Sequence, residues 1–402
     1  MQPRHSFVLL AACAAFLGGT AVLVAGPLDP PAGAITSTGK NLNDVEPRIP
    51  IDSTNTPGDA NSVYKITSPG SYYLTGNLAG ESAKHGIEIA STDVTVDLMG
   101  FELQGASASL DGIVVTAAGG SLGAGITIRN GTIKGWGTGD GLDLANGDVR
   151  GSIVSDIIAR ENGNAGIRVG ASSTITRCSA NYNSQAGIHA GGESTISGCT
   201  AEANENYGIY AGAGSSVSSC SVSATTGEVG TGIKTEGGCV ISECTSSSNS
   251  GDGIETTRDC VIASCVARNN GASGIDFGAG CTVTGCVANG NAIHGLNVGE
   301  SSIVKGNSCV ENAASGISTF GRDTRFEGNN CIKNGSHGFA ITSIGNLIIS
   351  NTCSGNVGTN WYIVAGNSVA RIVNTTTNAT DIDGSTYAGG LGTTEPLANC
   401  TY

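Results

Sequence analysis

Residues 166–294 repeat one hydrophobic and polar pattern. Four units show it most plainly: GIRVGASSTITRCSANYNSQA at Gly166, GIHAGGESTISGCTAEANENY at Gly187, GIETTRDCVIASCVARNNGAS at Gly253 and GIDFGAGCTVTGCVANGNAIH at Gly274. The period is 21 residues, broken once by a coil of 24 between Gly208 and Gly232. An apolar residue follows each glycine, a second stands eight or nine positions later, and short polar turns lie between them. That is the period-2 logic of strands, not the 3.6 of helices. One apolar row reads Ile167, Ile188, Ile209, Ile233, Ile254, Ile275, Leu296, Ile317 and Phe339. The other reads Ile175, Ile196, Val217, Ile241, Ile262, Val283, Val304, Phe326 and Ile348. A single unit cannot close a core, so the pattern predicts a β-solenoid whose coils stack about 4.8 Å apart. Each side chain buried in such a ladder contributes roughly 1.5 to 3 kcal/mol against the entropy of ordering.

Four residues before most of these glycines stands an asparagine: Asn162, Asn183, Asn204, Asn249, Asn270, Asn291, Asn312, Asn334 and Asn356. Stacked coils let such a column bond amide to amide. Glu228 occupies the equivalent place ahead of Gly232, in the 24-residue coil, so a bulge is expected around residues 225–230. Cysteines keep the same register, with Cys178, Cys199, Cys220, Cys244, Cys265 and Cys286 in one row and Cys239, Cys260 and Cys281 in another. A row along an axis does not converge on a metal, so these thiols read as lumen-filling groups, mostly unpaired.

With these rows in hand, the repeat resembles the right-handed parallel β-helix of the pectate-lyase-like superfamily, over roughly residues 64–373. The resemblance implies an all-β, single-stranded parallel β-helix, with about 12 to 13 coils read from the repeats. It leaves function open, because proteins on this scaffold include lyases, hydrolases, esterases, epimerases and adhesins without activity. Earlier coils, starting at Gly86, Gly112 and Gly141, run to 26, 29 and 25 residues, and the surplus must form loops. No proline occurs between Pro69 and Pro396, as strands that donate every N–H require.

Composition adds the compartment. Arg4 and His5 precede an apolar run from Phe7 to Ala25, which resembles a secretory signal peptide cleaved near Ala25. A membrane anchor or, at Leu10-Ala11-Ala12-Cys13, a lipobox are the competing readings of that run. The expected organisation is 1–25 signal peptide, 26–61 extended proline-rich arm, 62–373 β-helix and 374–402 cap or tail. Such a protein is secreted, periplasmic or on the cell surface, with no membrane association beyond the signal segment. A formal net charge of -14 argues against nucleic acid and disfavours polyanions.

Candidate chemistry lies two residues after each glycine, where side chains point outward and vary. The row reads Asp143, Arg168, His189, Tyr210, Lys234, Glu255, Asp276 and Asn297. By resemblance to polysaccharide-acting β-helices, Asp143, Arg168, His189, Tyr210 and Lys234 form a glycan track. Glu255 and Asp276 are the candidate catalytic pair, their adjacency suiting the roughly 5 to 5.5 Å carboxylate spacing of retaining glycosidases. Lys234 and Glu255 equally suit an ordinary cross-strand ion pair. A second candidate cleft gathers Trp136, Asp140, Asp143, Arg168 and His189, with His189 as base. No lyase-type Arg-x-x-Pro-x-x-Arg, Asp-Asp or Gly-His-Gly pattern occurs, no cofactor or metal is expected, and calcium is confined to loops near Asp140, Asp143 and Asp148. Two functions follow: a secreted β-helix that binds or processes a polysaccharide, or a non-catalytic surface or matrix protein or adhesin.

Overall fold

The computed structural model describes residues 47–116, 125–145, 149–374 and 395–402. The chain divides into a unit of residues 1–47 and a unit of residues 48–402, and the fold is that of the second. The signal segment and most of the arm, residues 1–46, lie outside the described residues, as does residue 148.

The apolar rows become ladders. Ile188 lies in register between Ile167 and Ile209, and Ile196 between Ile175 and Val217, all parallel. Every one of these side chains is fully buried. Strands that follow the repeat glycines form one sheet of 14 strands, while the remaining strands, two in most coils, form a second of 28. No helix occurs among the described residues.

Fourteen rungs replace the 12 to 13 expected. The first is Ser62–Ile66, which pairs in parallel with His85–Ile89, and the last is Trp361–Ile363, beyond where the 21-residue pattern decays. Sequence also set the start of the solenoid too late. Ile49–Ile51, assigned to the extended arm, pairs with Tyr72–Leu74 and buries Ile51. A three-residue strand is too short for periodicity to register. At the other end Asn399–Thr401 pairs with both Ile372–Asn374 and residues 352–353, so this part of the expected cap adds to the stack.

Each coil turns three corners, and one residue at each corner is left-handed. In one coil these are Ser172 (φ 58°), Arg177 (φ 52°) and Tyr182 (φ 56°). Such a residue costs about 1 kcal/mol or more when it is not glycine, and it resets the alternation so that the next side chain points inward. At the first and third corners that side chain then accepts a bond from the backbone N–H of the preceding coil. Ser173 N–H donates to Ser194 Oγ at 3.2 Å, Cys239 N–H to Cys260 Sγ at 3.4 Å, and Asn183 N–H to Asn204 Oδ1 at 3.0 Å. The amide-to-amide bonds expected of the asparagine column are present as well, Asn183 Nδ2 donating to Asn204 Oδ1 at 2.9 Å. Thr225, not Glu228, keeps the column in the long coil, its N–H donating to Asn249 Oδ1 at 3.0 Å. The three additional residues follow the corner rather than precede it, which moved the apparent asparagine position.

The repeat glycines serve this column. A Cβ at Gly187 would stand 2.6 Å from Asn204 Nδ2 and 2.7 Å from the Gly208 carbonyl oxygen. Glycine is needed there for close approach and not for a left-handed turn.

Candidate functional site

The 14-stranded sheet presents two outward rows. The row predicted from sequence is in register throughout: Asp143 pairs with Arg168, Arg168 with His189, His189 with Tyr210, Tyr210 with Lys234, Lys234 with Glu255 and Glu255 with Asp276. The second row consists of residues immediately before the repeat glycines, and it reaches the same side. Here Asp140 lies 3.8 Å from Arg168, its backbone N–H donates to Asp111 Oδ1 at 2.7 Å, and Asp111 Oδ2 lies 3.1 Å from His85 Nδ1.

Between the ends of this face sits an aromatic group. The rings of His189 and Tyr210 are 4.6 Å apart between centroids, and those of Tyr207 and Tyr210 are 5.6 Å apart. His189 and Tyr207 line a depression of about 250 Å³ together with Arg168 and Gln185 among others. Tyr210 Oη donates to Glu236 Oε1 at 2.8 Å, and burial together with this carboxylate pushes the phenol up to about 12. Burial, reinforced by the Arg168 charge, lowers the His189 imidazole from its usual range, so it is neutral at pH 7.

Two carboxylate groups flank the rings. At one end Asp140 is pushed up to about 7, by burial first and by Asp143 and Asp111 second, against the Ala165 N–H and Arg168 that favour its charge. Asp143 is raised for the same leading reason. At the other end burial raises Asp252 to about 6 and also raises Asp276, each with neighbouring carboxylates contributing. Glu255 pairs with Lys234, and Asp276 Oδ2 accepts from Asn297 Nδ2 at 2.9 Å. Glu255 and Asp276 therefore stand on adjacent rungs in different settings, one ion-paired and one hydrogen-bonded to a neutral amide.

The second cleft forms only in part. Asp140, Asp143, Arg168 and His189 share the face, but Trp136 is fully buried. A Cβ at Gly86 would come within 2.6 Å of its ring, at Gly80 within 2.8 Å and at Gly112 within 2.9 Å, so three glycines make room for it in the core. Among the described residues no three His, Cys, Asp or Glu side chains group so as to hold a metal ion. The cysteine rows run along the lumen as free thiols, all buried but Cys400. Asp111, Tyr207 and Asp252 were missed by the sequence reading. Their signal was the charged or aromatic residue recurring directly before the glycine, hidden by the unequal length of the early coils.

The module of mannuronan C-5 epimerase AlgE4 from Azotobacter vinelandii called the A-module superposes with a TM-score of 0.49 at 15% identity, covering 75% of this chain and 91% of that one. The periplasmic alginate epimerase AlgG gives 0.42 at 13% identity over 78% and 83%. Tailspike protein 3 of bacteriophage CBA120 gives 0.47 at 13% identity over 86% and 66%. No curated protein sequence matches. A family profile described as "Right handed beta helix region" matches residues 66–223 and 213–303. Taken with the parallel rungs and inward aliphatic ladders, that match makes this chain a member of the right-handed β-helix family.

Proposed function

We propose that the outward face of the 14-stranded sheet binds an extended polysaccharide laid along the stacking axis. The observation that carries this reading is the His189, Tyr207 and Tyr210 ring group beside the depression at Arg168. Tilted aromatic rings with polar edges accept the apolar face of a sugar while neighbouring polar groups fix its orientation. Rungs about 4.8 Å apart nearly match the repeat of a sugar chain, so a bound chain meets an equivalent position on each coil. Asp143, Arg168 and Lys234 supply polar contacts along that track.

Processing of the bound chain is assigned to Glu255 and Asp276. Glu255, ion-paired with Lys234, is the base or nucleophile, while burial favours the protonated form of Asp276 as acid. The compartment that goes with this activity is secreted, periplasmic or cell-surface, where such polymers are met.

Affinity measured against immobilised polysaccharides tests the reading. Tyr210→Ala weakens binding by roughly tenfold, the loss of one aromatic contact of about 1.4 kcal/mol. Glu255→Gln leaves affinity near that of the parent and abolishes turnover, followed as new reducing ends or unsaturated products. Unchanged affinity in Tyr210→Ala removes the site from this face.

One observation favours the second reading, a non-catalytic surface protein or adhesin. Ile153, Val240, Val261 and Ile303 are exposed at equivalent positions on the 28-stranded sheet. In that case Val240→Lys with Val261→Lys lowers adhesion or self-association, and Tyr210→Ala does not.

A further inference from the structure

The proposed glycan face has a charge arrangement that bears on what kind of polymer it takes. Toward the N-terminal end its two outward rows carry Glu88, Asp111, Asp140 and Asp143; further along they carry Asp252, Glu255 and Asp276. The cations on the same rows are Lys65, Arg168 and Lys234, and all three are engaged. Lys65 Nζ lies 2.9 Å from Glu88 and 2.8 Å from Asp59, Arg168 lies 3.8 Å from Asp140, and Lys234 pairs with Glu255. Burial also keeps the His189 and His294 imidazoles below their usual range, hence uncharged at pH 7. No ammonium on this face is left over for an acidic sugar, and its one guanidinium, Arg168, stands 3.8 Å from Asp140. Asp143, Asp252 and Asp276, by contrast, lack an ion-pair partner among the described residues, and each sits in a partly dry setting beside another carboxylate.

We infer that the polymer is cationic, an amino-sugar chain whose ammonium groups lie against Asp143 at one end and Asp252 at the other. This rests on the glycan-binding reading and gives it a substrate class. Asp143 and Asp252 are five rungs apart, about 24 Å along the axis. A chain laid over the central rings therefore passes both carboxylate groups. An ammonium placed there meets a carboxylate where the effective dielectric is well below that of water, so the attraction exceeds that of a surface pair. A uronate polymer meets only like charge in the same places, and a neutral polymer gains nothing from them.

The test compares three oligomers of equal length, about eight sugars, on the full chain near pH 6, where a glucosamine amine is largely protonated. They are fully deacetylated glucosamine, its N-acetylated form and galacturonate. Expected is binding of the amino oligomer at least ten times tighter than the acetylated one, weakened by salt, with galacturonate unbound. Asp143→Asn with Asp252→Asn reduces affinity for the amino oligomer about tenfold more than it reduces affinity for the acetylated one. The control pair Glu202→Gln with Glu243→Gln, exposed on the other sheet, changes neither.

Equal or tighter binding of the acetylated or uronate oligomer, still weakened by Tyr210→Ala, overturns the cationic substrate and keeps the glycan face. An equal loss in the control pair also overturns it, since it marks general attraction to an acidic protein. Failure of all three oligomers to bind overturns both.

Discussion

Asp140 shows how one residue joins the site to stability. Its side chain is almost wholly buried on a face that otherwise meets solvent, and the proton is retained to about pH 7. Below about pH 4 both folded and unfolded chains hold this proton. Between there and about 7 only the folded chain does, so its contribution to stability falls as pH rises, by at most about 1.4 kcal/mol per unit. Asp252, raised to about 6, acts in the same direction over a narrower window. Urea midpoints are expected to be lower at pH 8 than at pH 5, and Asp140→Asn, which keeps the acceptor for Ala165 N–H, is expected to shrink that difference. A difference as large in the variant would place the pH dependence elsewhere. Nothing in the sequence around Gly-Asp140-Gly announced this burial. It comes from the rungs on either side, whose relation to Asp140 the long early coils obscure.

At the scale of a strand and its corner, the ladders explain why serine, cysteine and asparagine interchange along one column while aliphatic residues keep another. Position 260 must accept the N–H of Cys239, which the left-handed residue Gly238 (φ 72°) turns inward. Serine does this at the equivalent Ser173, Ser194 and Ser302. Cys260→Ser is therefore expected to cost less than Cys260→Ala, although alanine is the less polar replacement. The alanine variant strands a buried donor at about 1 to 3 kcal/mol. Chemical denaturation of the two variants decides it, and an alanine variant as stable as the serine one would refute the capping role. The 21-residue rhythm made the rows legible because each coil repeats its corners at fixed offsets. Where an insertion shifted an offset, as at Thr225, counting back from the glycine selected the wrong residue.

Over the whole molecule, stability is a sum of rungs and the contacts between neighbours, so it is lowest where a rung has one neighbour. The final strands bear this out in their exposure: Trp361–Ile363 is only partly covered, and Ser368–Val369 is open to solvent. Hydrogen exchange is expected to be fastest across residues 361–374 and slowest across 188–298. The thirteen free thiols among the described residues are expected to react together only when the central rungs open, apart from the partly exposed Cys400. Early reaction of Cys239, Cys260 or Cys281 in native buffer would contradict a closed lumen.

Periodicity alone fixed which residues face the axis, because a stacked coil leaves each position only two environments and a repeat writes the choice many times over. It likewise placed Asp143 to Asn297 outside and one above another, since the outward row has the same period as the inward one. Tertiary structure decided the rest: that Trp136 lies beneath three glycines, that Ile49–Ile51 and Asn399–Thr401 extend the stack, and that a second row brings Asp111, Asp140 and Asp252 to the face. These depend on contacts between coils of unequal length. Such contacts are set by how far each loop carries the chain before it rejoins the sheet, and a residue count does not encode that distance.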